Sequence, residues 1–192
     1  MNDTARQIVE TAIGMMCRGG YHAFSFRQIA TELDIKSASI HYYFPSKSDL
    51  GSAAMRVYCD NFSTQLAALE KSPQPLAEYL KMFEKSLKRT KSACLAGILA
   101  SECGELPQEL KDEVEVFRNR NLDWLQETLL AEQTDWTEKE AKAAAAMVFS
   151  SLQGALAFSA VSRDPKHLQR VTQALESFVL ADREVLLSQR AS

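Results

Sequence analysis

An all-α fold follows from three features of the sequence. Apolar residues recur at spacings of three and four along most of its 192 residues, the period of a helix with one buried face. No segment shows sustained alternation bounded by turn signals, so no strand is predicted. Ser, Thr, Asp, Gly and Pro fall where helices start and stop. About nine helices result.

The first is predicted over Asp3 to Arg18, with Ile8, Ala12 and Met15 or Met16 on its apolar face and Gly19-Gly20 ending it. Tyr21 to Phe24 is a short connector. Ser25 with Gln28 matches a capping box, opening a second helix of about two turns with Phe26, Ile29, Ala30 and Leu33 inward. Asp34-Ile35-Lys36 is a tight turn, with Asp34 able to adopt the left-handed conformation and Ile35 as its apolar plug. A third short helix, Ser37 to Phe44, turns Ile40 and Phe44 inward. It leaves Ser37, Ser39, His41 and Tyr42 outward, with Tyr43 at the boundary.

Pro45 stops that helix, and Ser46 with Asp49 restarts the chain. Helix 4, about 47–71, is long enough to leave a small N-terminal domain and enter the next. Ser72-Pro73-Gln74-Pro75 breaks it. Helix 5 spans about Pro75 to Thr90, helix 6 about Cys94 to Cys103, and helix 7 about Gln108 to Ala131. Thr137 with Glu140 is a second capping box, opening helix 8 to about Val161. Asp164-Pro165 opens helix 9, which reaches about Ser188.

Composition is that of an ordinary globular chain, 46% apolar and 24% charged. The net charge of −3 does not by itself suggest a nucleic-acid partner. Residues 1–56 carry six basic against five acidic side chains, a weak excess over the acidic remainder. Cys17, Cys59, Cys94 and Cys103 form no CxxC pair, which suits reduced, buried thiols rather than a disulfide or zinc site. No metal or cofactor is expected. His22, His41 and His167 show no ligand spacing, and neither a nucleophile motif nor a phosphate loop occurs, so no enzyme is predicted. The apolar stretch Ala141 to Ala160 is interrupted by Lys142, Ser150, Ser151, Gln153, Gly154 and Ser159. It reads as a buried helix, not a membrane span. No secretory leader is evident, and the cytoplasm is the expected compartment.

Two short helices joined by a tight turn present the second as a protrusion able to enter a DNA major groove about 12 Å wide. Small hydroxyls at Ser37 and Ser39 allow close approach to base edges, and Tyr42 adds apolar surface with a polar tip. Ser25, at the start of helix 2, and Lys47, at the start of helix 4, suit phosphate contacts, which position without specifying. Arg27 can reach a phosphate or a base edge.

The segments Ser25-Phe26-Arg27-Gln28-Ile29-Ala30 and Ile35 to Leu50, the latter reading IKSASIHYYFPSKSDL, resemble the signature of the TetR family of one-component regulators. The resemblance runs almost continuously from Ile8 to Leu50. It implies a three-helix DNA-binding domain, 1–46, and a helical effector-binding and dimerisation domain, 47–192, with helix 4 linking the two. It also implies a homodimer that binds a palindromic double-stranded operator as a repressor and is released by a small-molecule effector. Its phosphate-contacting roles fall on Ser25, His41, Tyr43 and Lys47, and its base-reading roles on Arg27, Ser37, Ser39 and Tyr42. Lys36 completes the candidate DNA-binding set. Asp34 stands where the family usually has a turn glycine, Lys36 where a serine cap is common, and Ala38 where glycine is frequent. His41 replaces a common tyrosine and Tyr43 a common histidine.

An apolar effector cavity among helices 4 to 8 would draw on Tyr58, Phe62, Met82, Phe83, Leu99, Cys103, Phe117, Trp124 and Met147. A four-helix dimer interface would use Val148, Leu152, Ala155 and Leu156 of helix 8 with Val171, Leu175 and Phe178 of helix 9.

Overall fold

The computed structural model describes residues 1–133 and 135–180. Among these, nine α-helices occur: α1 (Asp3–Gly19), α2 (Phe26–Glu32), α3 (Ser37–Tyr43), α4 (Lys47–Leu69), α5 (Pro75–Thr90), α6 (Leu95–Ser101), α7 (Gln108–Glu132), α8 (Glu138–Ser162) and α9 (Pro165–Leu180). A single 3-10 turn, Tyr21–Ala23, fills the connector after α1. The expected end of helix 9 near Ser188 lies outside the described residues.

The helices pack as two compact units. One holds Met1–Gln65 with Ser92–Arg120, and the other holds Leu66–Lys91 with the described residues from Asn121 onward. Helix α6 and the first half of α7 thus share a unit with the three N-terminal helices, a grouping that sequence order conceals. The sequence boundary between residues 46 and 47 falls inside the first unit.

In the first unit, α1 supplies Ile8, Val9, Ala12 and Met16 to the core and packs on α2, α3 and α6. Phe24, Ile29, Ile40, Leu50 and Met55 are almost wholly buried in the same unit. Helices this short have little stability alone and depend on such burial. Asn2 caps α1, its side chain accepting the Ala5 N–H at 2.9 Å. Ser25 caps α2 by accepting the Gln28 N–H at 3.3 Å. Gln28 does not return to the backbone as in a full capping box; its Oε1 instead accepts the Ser25 hydroxyl at 2.8 Å. The α2–α3 turn places Asp34 at φ 52°, the left-handed conformation foreseen for it, and the Ile35 N–H closes onto the Ala30 carbonyl at 3.0 Å. Ser46 and Asp49 form the reciprocal box at α4: Asp49 accepts the Ser46 N–H at 2.9 Å, and Ser46 accepts the Asp49 N–H at 3.1 Å.

Helix α6 is shorter than its apolar run suggests. After Ser101 the Glu102 N–H bonds to the Leu99 carbonyl and the Cys103 N–H to that of Ala100. Both are i to i−3 bonds, the tightened geometry of a helix end.

In the second unit, α9 packs on α8 and α5, and α5 on α8. Thr137 and Glu140 make the full capping box of α8. Leu76, Tyr79, Leu80, Phe83, Leu125 and Leu129 are buried from α5 and α7. Val148, Leu152, Ala155 and Leu156 of α8 and Leu175 of α9 are each at most 6% exposed. These five residues pack in the chain's own core. Of the others expected at a dimer interface, Val171 is half-buried and Phe178 is 53% exposed. The open side of α8 is a different stripe, Ala143, Met147, Ser150, Gly154, Phe158 and Val161, which repeats at intervals of three and four. Glu138–Ser162 is long and apolar enough to cross a membrane by length and composition alone, with a third of the apolar window buried. The buried-helix reading holds for one face and not for the other.

Candidate nucleic-acid interface

Helix α3 buries Ile40 completely and keeps Ser37, His41 and Tyr42 exposed, with Ser39 half-buried. One inward side chain fixes the helix on α1 and α2, and the rest of its short surface is polar or amphipathic. Tyr42 is 81% exposed, so it is not core packing. Its ring meets Tyr43 edge to face at 5.0 Å, which steadies an otherwise unsupported aromatic. The His41 ring packs edge to face on Phe26 of α2 at 4.6 Å, so the orientation of the imidazole is set by the bracing helix.

Tyr43 is half-buried, and its Oη accepts the Asn2 side-chain N–H at 3.0 Å. That leaves the phenolic proton available to donate, the polarity a phosphate oxygen requires. Lys36 is the N-cap residue of α3 without any side-chain cap bond. A protein side chain therefore does not compete for the first-turn amides. Arg27 and Lys36 are exposed and enter no ion pair among the described residues. The two cations are held by no internal carboxylate, which suits an external anion.

Ser25 and Lys47 are engaged internally. The Ser25 hydroxyl both caps α2 and donates to Gln28, so it reaches a phosphate only by giving up one of these bonds. The Lys47 Nζ lies 4.7 Å from the centroid of Tyr21 and 4.6 Å from that of Phe24, a cation–π arrangement. Burial against these rings lowers the amine from its ordinary range, and the charge of Glu102 acts in the opposite sense. Sequence reasoning placed Lys47 correctly at the start of α4 but carried no signal for the ring contacts, which join residues more than twenty positions apart. Asn2 was also missed; its cap type was the available hint.

The expected effector residues fall into both units. In the first, Phe117 meets Tyr58 at 5.7 Å and Phe62 at 4.9 Å, and Leu99 is fully buried. The Tyr58 hydroxyl donates to Cys94 Sγ at 3.4 Å. In the second, Tyr79 stacks on Trp124 at 5.2 Å and meets Phe83 edge to face at 5.2 Å. Its hydroxyl donates to Asn121 Oδ1 at 3.0 Å. Met82 is half-buried. The Trp124 Nε1 is buried and has no hydrogen-bond partner among the described residues. Two members are not buried: Cys103 is exposed beyond the end of α6, and Met147 lies on the open stripe of α8 at 36% exposure.

A braced, outward-facing third helix with uncommitted cations around it, in a chain that carries a second helical unit, is the arrangement of a helix-turn-helix transcription regulator. Comparison with known proteins names its family. Residues 8–54 match the profile "Bacterial regulatory proteins, tetR family", and residues 68–174 match "Transcriptional regulator LmrA/YxaF-like, C-terminal domain". A TetR-family regulator from Agrobacterium tumefaciens is 31% identical with a TM-score of 0.83, covering 90% of this chain and 95% of that one. A TetR regulator from Legionella pneumophila is 26% identical with a TM-score of 0.87, covering 93% and 98% respectively. An uncharacterised HTH-type regulator of Bacillus subtilis, YuxN, is 30% identical over 82 residues, 42% of this chain and only 28% of that protein. The chain belongs to the TetR family of bacterial transcriptional regulators.

Proposed function

We propose that this chain is a ligand-responsive repressor that binds a palindromic operator as a homodimer and is released by a small apolar molecule. The observation that carries the reading is the polar face of α3, with Ser37 and Tyr42 exposed and Ser39 half-buried over a single buried isoleucine. These three residues and Arg27 read base edges. Ser25, Lys36, His41, Tyr43 and Lys47 hold phosphates, and a DNA partner puts the protein in the cytoplasm.

Two-fold reading requires two recognition helices about 34–36 Å apart. The open stripe of α8 with Phe178 of α9 supplies the apolar surface for pairing two chains. The effector is sensed through the aromatic helices of the larger domain, 47–192, with helix α4 belonging to both domains. Trp124 Nε1 is a buried donor lacking an acceptor among the described residues, and such a group costs free energy until it is paired. An aromatic or otherwise apolar ligand bearing one acceptor oxygen fits that requirement. Release then follows from a difference in ligand affinity between two conformations.

Footprinting on DNA upstream of its own coding sequence tests the operator reading: two protected half-sites are expected, and an unprotected region at saturating protein counts against it. Titrating apolar aromatic compounds into a Trp136→Phe variant isolates Trp124 fluorescence. A compound that both changes that signal and clears the footprint identifies the effector class.

A further inference from the structure

One side chain outside α2 and α3 sets which way a hydroxyl on α3 points. Asn2 precedes α1 and is held twice: its backbone carbonyl accepts the Arg6 N–H at 3.0 Å, and its Oδ1 accepts the Ala5 N–H at 2.9 Å. A backbone N–H can only donate, so the atom facing Ala5 is the amide oxygen and the other end of the side chain is the NH2. That NH2 meets Tyr43 Oη at 3.0 Å, across 41 positions of sequence. An amide NH2 can only donate as well, so the phenolic oxygen accepts and its own proton turns away from Asn2. The ring itself is placed by other contacts. Tyr43 is half-buried at the last position of α3 and meets Tyr42 edge to face at 5.0 Å. Asn2 therefore contributes the direction of the hydroxyl rather than the position of the ring.

We propose that Asn2 is a positioning residue for DNA binding, which presents Tyr43 to a backbone phosphate as a hydrogen-bond donor. This rests on the DNA-binding reading above and adds the residue that orients one of its phosphate contacts. A phosphate oxygen without a proton takes only donors. A phenol free to turn its proton to either side of the ring offers the phosphate a lone pair in one of the two settings. A phenol that already accepts from Asn2 is held in the other. The donor is then set before DNA arrives, and binding need not restrict it further. Neither side chain carries a charge, so the arrangement adds affinity without adding to the salt dependence. The same Asn2 side chain caps α1, so the start of that helix and the end of α3 are tied through one amide.

Asn2→Ser keeps a good helix cap and drops the bond to Tyr43. Asn2→Asp also keeps the cap but reverses the bond, because a carboxylate only accepts and takes the phenolic proton for itself. Anisotropy titrations of the full chain would use a duplex of about 30 base pairs recovered by the wild type from a random pool, long enough for two half-sites. Tyr43→Phe, which removes the donor, is expected to bind it about tenfold more weakly. Asn2→Ser should lose about two- to fourfold, a factor of about two in each half-site for a hydroxyl released to two settings, with the melting temperature and the salt slope unchanged. Asn2→Asp should lose at least as much as Tyr43→Phe. The deciding measurement is the cycle with Tyr43→Phe. In that background Asn2→Ser costs nothing, and Asn2→Asp costs only the smaller repulsion between its charge and DNA. A loss that is the same in the phenylalanine background, or wild-type affinity in Asn2→Ser, overturns the role of Asn2 and leaves the DNA-binding reading intact. Wild-type affinity in Tyr43→Phe removes the contact that Asn2 would orient and overturns its role as well. A wild type that recovers no duplex overturns both.

Discussion

Replacing Phe158 with aspartate places a charge in the middle of the open stripe of α8. Phe158 is 69% exposed in the single chain, its ring touching only the edge of His167 at 6.5 Å among the aromatic contacts described. Fully burying a phenylalanine removes roughly 150–250 Å² from water, so docking this ring on a second chain would bury on the order of 100–170 Å², or about 2.5–4 kcal/mol. An unpaired carboxylate at the same place adds a desolvation cost. Taking one ring alone, the dimer dissociation constant rises by roughly two to three decades, at about 1.4 kcal/mol per decade. Sedimentation equilibrium over nanomolar to micromolar protein reads the change directly. The fold should survive, because the side chain contributes little to the chain's own core. Val148→Ala is the contrast: it leaves a cavity beneath α8 and lowers the melting temperature without acting at the stripe. A Phe158→Asp protein that stays dimeric with an unchanged dissociation constant would refute the assignment of this face.

Three further predictions concern the first unit. Lys47→Ala should weaken binding to every duplex alike and reduce the salt slope by about 0.9 for each phosphate that the amine no longer neutralises; an unchanged slope removes its phosphate role. Gly20→Ala, which forces a Cβ toward Glu102 in a backbone region nearly exclusive to glycine, should lower stability by about 1–3 kcal/mol in urea denaturation; a neutral effect would mean that the hydrogen bond from the Tyr21 N–H to Glu102 Oε2 is not kept in solution. Burial, and next the neighbouring Cys94, push the Cys17 thiol up to about 11. Between about pH 9 and 11 the unfolded chain has then released a proton that the folded chain keeps, so stability falls as pH rises through that window. Urea midpoints across the window should decline less steeply in Cys17→Ser, and parallel declines would discount the thiol.

The sequence was most legible where local chemistry decides the structure. The capping pairs Ser46–Asp49 and Thr137–Glu140, the left-handed Asp34 and the breaks at Pro45 and Pro75 are short-range features, and each appears where it was read. Helix α8 shows where this fails. It is apolar or small on nearly every side, so its period gives the helix but not which face turns inward. Val148, Leu152 and Leu156 are buried, while the open stripe through Gly154 and Phe158 has the same spacing in another phase. Pairings of large sequence separation were invisible for a different reason. Nothing local in Glu102 indicates that it lies on the Tyr21 amide, and nothing local in Lys47 indicates two aromatic rings beneath it.

Selection of duplexes from a random-sequence pool, repeated with Ser37→Ala and Ser39→Ala, tests the central claim that α3 reads DNA. The wild type should recover a two-fold symmetric sequence with half-site centres about 34–36 Å apart along the duplex, or a multiple of a helical turn. Each serine variant should change the preferred base at a position within both half-sites while keeping the wild-type salt slope. Recovery of no shared sequence, or of the same sequence by all three proteins, would contradict it.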